Sequence, residues 1–288
     1  MKFGVSSYIW VSPFSNDTID QLKHAKDLGF DIYEIGVEDP ASFDPVFVKH
    51  EADRVGIQVN ICGAFGTERD ISSDNPDYRD NGMAYIRTLI DMASILGSPY
   101  VAGPMYAATG RARLASKEER ERQWAYAAGN LRELAGYAAS KGIRLALETL
   151  NRFETDFLNT VQQGIRLLDE IGCNNVGFLL DTFHMNIEES SIGDAIRHAG
   201  KLLGHFHTGE CNRMVPGKGR TPWREIGDAL REIEYDGTVV MEPFVRMGGQ
   251  VGSDIKVWRD ISKGADEEQL DEDARRAVEF QRYMLEWK

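Results

Sequence analysis

Thiols, positive charge and long apolar runs are all scarce in this 288-residue sequence, and each shortage removes a class of function. Cys62, Cys173 and Cys211 are scattered, odd in number and without a CxxC pair, so neither a disulfide framework nor a thiolate zinc site is expected. Basic residues number 33 against 46 acidic ones, and the formal charge of -13 opposes binding to nucleic acid or an anionic membrane, whose affinity comes from Lys and Arg on phosphate. No apolar run approaches the roughly 20 residues of a transmembrane helix. The opening MKFGVSSYIW is broken by Gly4, Ser6 and Ser7 and shows no clear signal-peptide core. A cytoplasmic location is expected. Linkers rich in Pro or Ser, low-complexity tracts and phosphate loops are also missing; GPMYAATG (103–110) and GKGRTP (217–222) match neither GxGxxG nor a Walker sequence.

What is present is a rhythm. Short β-rich runs alternate with longer stretches of helical period, as expected for βα units building a parallel sheet. Eight strands are predicted: Phe3 to Ser7, Ile32 to Gly36, Ile57 to Cys62, Tyr100 to Gly103, Ile143 to Glu148, Val176 to Leu180, Leu203 to His207 and Val239 to Glu242. Helices are predicted to start near Thr18, Pro45, Pro76, Ser116, Thr160, Ser190, Pro222 and Asp266, several on residues that favour N-termini. Gly29, Gly56, Gly97, Gly142 and Gly172 each precede a strand, where positive φ stops a helix. With no phosphate loop after the first strand, a closed (β/α)8 TIM barrel is favoured over a doubly wound open sheet. One domain spanning 1–288 is expected. The longest loops are Tyr106 to Glu118 and Arg246 to Gly264.

Four predicted strands in succession end on, or just before, a strong acid or a histidine: Glu148, Asp181, His207 and Glu242. The C-terminal ends of barrel strands converge on one funnel, so these four can reach a single ion. Any one of them alone reads as a solvated rim charge. Together, three carboxylates on one rim would repel each other without a cation. An oxygen-rich set with one imidazole suits Mn²⁺ first, with Co²⁺ and Mg²⁺ as alternatives.

The strings LETLNRFE (Leu147 to Glu154), LLDTFHMNIEE (Leu179 to Glu189), GHFHTGECNR (Gly204 to Arg213) and VVMEPF (Val239 to Phe244) resemble the D-tagatose/D-allulose (D-psicose) 3-epimerase family, whose barrel is xylose-isomerase-like. VPGKGRTPW (Val215 to Trp223) and GSDIKVWRDIS (Gly252 to Ser262) extend the resemblance over the C-terminal half. It implies the same four metal ligands, and it places Glu154, His184 and Arg213 on the hydroxyls of a free ketose. Their bland readings are rim charges and a packed histidine. His205 is expected one layer deeper on the same strand face as His207. His24, His50 and His198 fall on predicted helices and carry no role. Phe183, Phe206 and Phe244 read as packing, with Phe244 also lining the pocket.

Inverting C3 of a ketose requires a proton to leave one face and another to arrive on the opposite face, so two acid–base groups flanking the substrate are needed. Glu148 and Glu242, three strands apart around the ring, are the expected pair, working through a cis-enediolate. The substrate is D-allulose/D-fructose, D-tagatose/D-sorbose or a ketopentose pair. The family also suggests a homodimer or homotetramer. Three competing readings are an aldose–ketose isomerase on the same barrel, a metal-dependent endonuclease, and a catalytically silent sugar-binding module. At the pocket wall the sequence departs from the family, which often has an aromatic at the end of strand one and a tryptophan after strand four. Here those stretches read Ser6-Ser7-Tyr8 and Tyr106-Ala107-Ala108-Thr109-Gly110.

Overall fold

The computed structural model describes residues 1–246 and 249–286, so two positions of the long 246–264 loop lie outside it. All eight predicted strands form within one residue of their expected bounds: β1 (Lys2–Ser6), β2 (Ile32–Val37), β3 (Gln58–Gly63), β4 (Tyr100–Gly103), β5 (Arg144–Glu148), β6 (Val176–Asp181), β7 (Leu203–Thr208) and β8 (Thr238–Met241). They pair in parallel in chain order, and β8 closes on β1 with Lys2 opposite Thr238 and Val5 opposite Met241. The closed TIM barrel is therefore observed and the open sheet is not. Buried on both faces, β2 and β6 read as near-continuous apolar runs, as parallel strands should.

The helices are α1 (Gln21–Asp27), α2 (Pro45–Val55), α3 (Pro76–Leu96), α4 (Lys117–Ser140), α5 (Val161–Ile171), α6 (Thr182–Glu188), α7 (Ile192–Ala199), α8 (Trp223–Glu232), α9 (Gly249–Asp254) and α10 (Glu267–Glu286). Their starts follow local chemistry. Asp44 and Asn75 cap α2 and α3 ahead of a proline at the first helical position, Ser116 accepts from the Glu119 amide, and Thr160 with Gln163 forms a capping box. The five glycines expected to end helices all take positive φ, between 70° and 98°.

Two boundaries moved. Ser191, not Ser190, caps α7, and α1 begins at Gln21 after a short 3-10 turn over Asn16–Thr18. Two helices had no counterpart in the expected pattern. α9 occupies part of the loop predicted from Arg246 to Gly264, and α6 springs directly from the end of β6 because Asp181 accepts a hydrogen bond from the Phe183 amide, 2.9 Å away.

The main core lies between barrel and helices, where outward strand residues such as Val5, Tyr33, Ile35 and Ile61 meet Leu22, Ile86, Leu89 and Leu131. Each such side chain contributes about 1.5–3 kcal/mol by leaving water. The barrel interior is different. Its apolar cluster is small, comprising Cys62, Tyr100, Ala102, Ala146 and Leu179. Buried Glu34, Asn60, His205 and Thr238 share the space where barrels ordinarily stack aliphatic layers.

Candidate active site and metal centre

Glu148 ends β5, Asp181 ends β6, His207 is the penultimate residue of β7, and Glu242 follows β8 by one residue. Each offers a donor atom within 4.8 Å of the others, and all four are buried. Asp181 serves two masters: Oδ1 caps α6, while the buried Oδ2 has no hydrogen bond among the described residues. His207 Nδ1 is likewise buried without one, 3.3 Å from Glu242 Oε2. Two orphaned donors facing the same point, in a set of three carboxylates and one imidazole, fit a hard divalent cation.

The electrostatics carry the same tension. Burial, helped by the Glu242 charge, raises the Glu148 carboxyl above its ordinary range, although His184 works the other way. Burial opposes charge on His207, but Glu242 and Glu34 outweigh it and hold the imidazole well above its usual value. Buried groups that favour their protonated forms in this way are ones from which a bound cation would displace the protons.

The α6 turn folds His184 back over the site, with Nε2 at 3.5 Å from Glu148 Oε1 and 3.9 Å from Asp181 Oδ2. Its Nδ1 accepts the Asn151 amide hydrogen at 3.1 Å, so Nε2 carries the ring hydrogen toward the cavity. The Asn151 side-chain amide also donates to Glu154 Oε1 at 2.9 Å, and Arg213 Nη2 donates to the same oxygen at 2.8 Å. Burial acts against a charged His184, yet Glu154, Glu148 and Asp181 prevail and its pKa is raised.

Arg213 adopts φ of 66°, a conformation that non-glycine residues rarely keep unless their surroundings impose it. Here the turn imposes it, with the Arg213 amide donating to the Glu210 carbonyl at 2.9 Å and the Glu210 amide to the Met214 carbonyl at 3.0 Å. The buried Glu210 carboxylate accepts from the Gly217 amide at 2.7 Å, the Thr221 amide at 3.0 Å and the Trp223 indole at 2.8 Å, tying that turn to the loop that follows. The guanidinium lies 3.7 Å over the Phe183 ring and 5.1 Å from that of Phe244. Phe244 in turn donates its amide to the Arg213 carbonyl at 3.2 Å.

These groups surround a cavity of about 600 Å³. Glu148, Glu242, Glu154, His184, Arg213 and Phe244 line it, while Asp181 and His207 are withdrawn from its surface. All eight residues singled out from the sequence thus meet at one place.

The wall has its aromatic after all. Tyr8, carried just beyond β1 by a 3-10 turn over Ser7–Ile9, lines the cavity with its ring centroid 5.1 Å from that of Phe244. Burial pushes its phenol well above the ordinary value, so it stays neutral. The loop after β4 supplies no such ring, because Tyr106 turns inward, stacks on Phe157 at 5.2 Å and leaves Pro104 and Thr109 at the surface.

Gly36 makes the seat for Tyr8, since a Cβ added there would overlap the phenol ring. Gly36→Ala is therefore expected to displace the ring rather than unfold the barrel. Steady-state kinetics should show KM raised by roughly tenfold or less, the cost of one lost pocket contact, with kcat and Tm little changed. An unaltered KM would remove Tyr8 from the substrate wall.

Three contributors carry no role in the sequence reading. Asn151 bonds both Glu154 and His184; Cys62 lines the cavity as a thiol whose pKa burial pushes well up; and Glu34 touches both His205 and His207. An acid in the middle of IYEIGV was the available signal, because a strand buried on both faces tolerates a charge only with a partner.

The xylose isomerase-like TIM barrel family model matches residues 22–278. Among characterised relatives, the D-psicose 3-epimerase of Ruminiclostridium cellulolyticum is 44% identical, covering 99% of this chain and 98% of its own. That of Agrobacterium fabrum is 41% identical, covering 99% of both. The crystal structure of D-psicose 3-epimerase with D-tagatose from Clostridium cellulolyticum H10 superposes with a TM-score of 0.91 at 43% identity, covering 99% of each chain.

Proposed function

The chain belongs to the ketose 3-epimerases of the xylose isomerase-like TIM barrel family, and from that premise we propose a metal-dependent epimerisation of a free ketose at C3. D-psicose (D-allulose) and D-fructose form the foremost substrate pair, because the relatives between 38% and 44% identical are named D-psicose 3-epimerases. The observation that carries the reading is the convergence of Glu148 and Glu242 on one cavity, with Asp181 and His207 behind them.

Glu148, Asp181, His207 and Glu242 hold the cation, Mn²⁺ ahead of Co²⁺ and Mg²⁺. When bound, a divalent ion polarises the ketose carbonyl and lowers the cost of negative charge as the C3 proton leaves. One glutamate removes that proton from its face, giving an enediolate. The other, arriving protonated, delivers a proton to the opposite face, and the roles exchange when the reaction runs backward. Arg213 and His184 offer N–H groups to sugar oxygens near the carbonyl, and Glu154 accepts from a hydroxyl. Phe244 and Tyr8 cover the apolar edge of the sugar.

The finer expectations belong to this proposal: one domain over 1–288, a homodimer or homotetramer, and a cytoplasmic location. No helix among the described residues is long and apolar enough to cross a membrane.

Incubation with a panel of ketoses and Mn²⁺ in D₂O tests the reaction. Deuterium should enter at C3 of both epimers, and D-psicose and D-fructose should interconvert fastest. Label at C1 with an aldose product would point to the isomerase instead, and unlabelled sugar to a binding module.

A further inference from the structure

Glu34 enters the barrel from the middle of β2 and is wholly buried between the two histidines of β7. Its Oε1 lies 2.6 Å from His207 Nε2, and its Oε2 lies 2.9 Å from His205 Nε2, an approach too oblique for a good hydrogen bond. Behind it, His205 Nδ1 sits 2.9 Å from the Tyr100 hydroxyl and 2.7 Å from that of Thr238. The Tyr100 hydroxyl also accepts from the Asn60 amide at 2.5 Å. Packing alone would not place a carboxylate here, where a branched aliphatic side chain fills a barrel without desolvating a charge.

The two nitrogens of His207 face different neighbours. Nε2 lies 2.6 Å from Glu34 Oε1, and an ionised carboxylate there can only accept, which assigns the hydrogen to Nε2. In the neutral ring Nδ1 is then bare, with its lone pair directed toward the point shared by Glu148, Asp181 and Glu242.

We propose that Glu34 is the positioning residue of the metal site, fixing the ring and tautomer of His207 so that Nδ1 serves as ligand, while His205, held by Tyr100 and Thr238, steadies Glu34 in turn. This rests on the reading above that His207 and the three carboxylates hold one divalent ion. Glu34 touches no substrate. Its second contribution is charge, a buried anion adjoining a site built for a cation.

Titration calorimetry of Mn²⁺ into metal-free protein tests it, with circular dichroism to establish that each variant is folded. Relative to wild type, Glu34→Gln should weaken binding by about tenfold and Glu34→Leu by up to about a hundredfold, the range for carboxylate partners of ligating histidines. In ¹⁵N-histidine-labelled wild type loaded with diamagnetic Mg²⁺, His207 should show a protonated Nε2 and a metal-perturbed Nδ1. That measurement decides the matter even where a variant fails to fold. Unchanged Mn²⁺ affinity in the folded variants, or metal on Nε2, would overturn the role of Glu34 alone. Two ions per chain in wild type would make Glu34, His205 and His207 ligands of their own ion and overturn it as well. Wild type that binds no ion defeats the metal reading and this proposal together.

Discussion

Glu148→Gln and Glu242→Gln should each lower kcat for epimerisation by roughly 10²–10⁴-fold, the span covered by a positioned acid or base in proton transfer. That loss corresponds to about 3–5 kcal/mol of transition-state stabilisation. Glutamine keeps the shape and a ligating carbonyl oxygen but cannot take or return a proton, so the loss should fall on kcat more than on metal content. The two variants should also differ from one another. When one glutamate alone remains, it can still remove the C3 proton of the epimer whose hydrogen faces it and return a solvent proton to the same side. In D₂O each variant should thus wash label into C3 of one epimer, without inverting it, and leave the other epimer untouched. Which epimer exchanges in which variant identifies the face that each residue serves. Near-normal turnover in either variant, or exchange of both epimers by both, would break the two-base scheme.

Much of this site was legible because its causes are local. The strands and their caps follow from residues within a few positions of each other, as at Asp44-Pro45, Asn75-Pro76 and the Thr160–Gln163 box. The convergence of Glu148, Asp181, His207 and Glu242 was readable because barrel closure turns sequence order into spatial proximity. α6 was missed because Asp181 ends a strand and caps a helix with one side chain, so no loop residue announced the helix.

Other parts were illegible for the opposite reason, that their causes are remote. Glu34 looks like an interruption of a strand until His207, 173 positions away, comes to rest on it. Tyr8 and Tyr106 show that ring identity does not fix ring destination. A 3-10 turn and the bare face of Gly36 send the first into the cavity, whereas the stack on Phe157 draws the second out of it.

Exhaustive chelation should abolish epimerisation, and Mn²⁺ or Co²⁺ should restore it, because Glu148, Asp181, His207 and Glu242 otherwise face one another with two buried donors unmet. The proton balance fixes the sign of the pH dependence. Burial raises the Glu148 carboxyl, and Glu242 with Glu34 raises His207 well above its ordinary pKa, so both groups favour their protonated forms in the metal-free site and a bound ion must expel those protons. Metal affinity should therefore rise with pH up to those raised values and level off above them. Calorimetry at pH 7 in two buffers of different ionisation enthalpy should report net proton release on Mn²⁺ binding. An ion held by the folded chain alone should make Tm climb with Mn²⁺ concentration, by the equivalent of about 2.7 kcal/mol at a hundred times Kd. Full activity in demonstrably metal-free protein would end the metal reading, whereas binding without proton release would end only the account of how the empty ligands hold their charge.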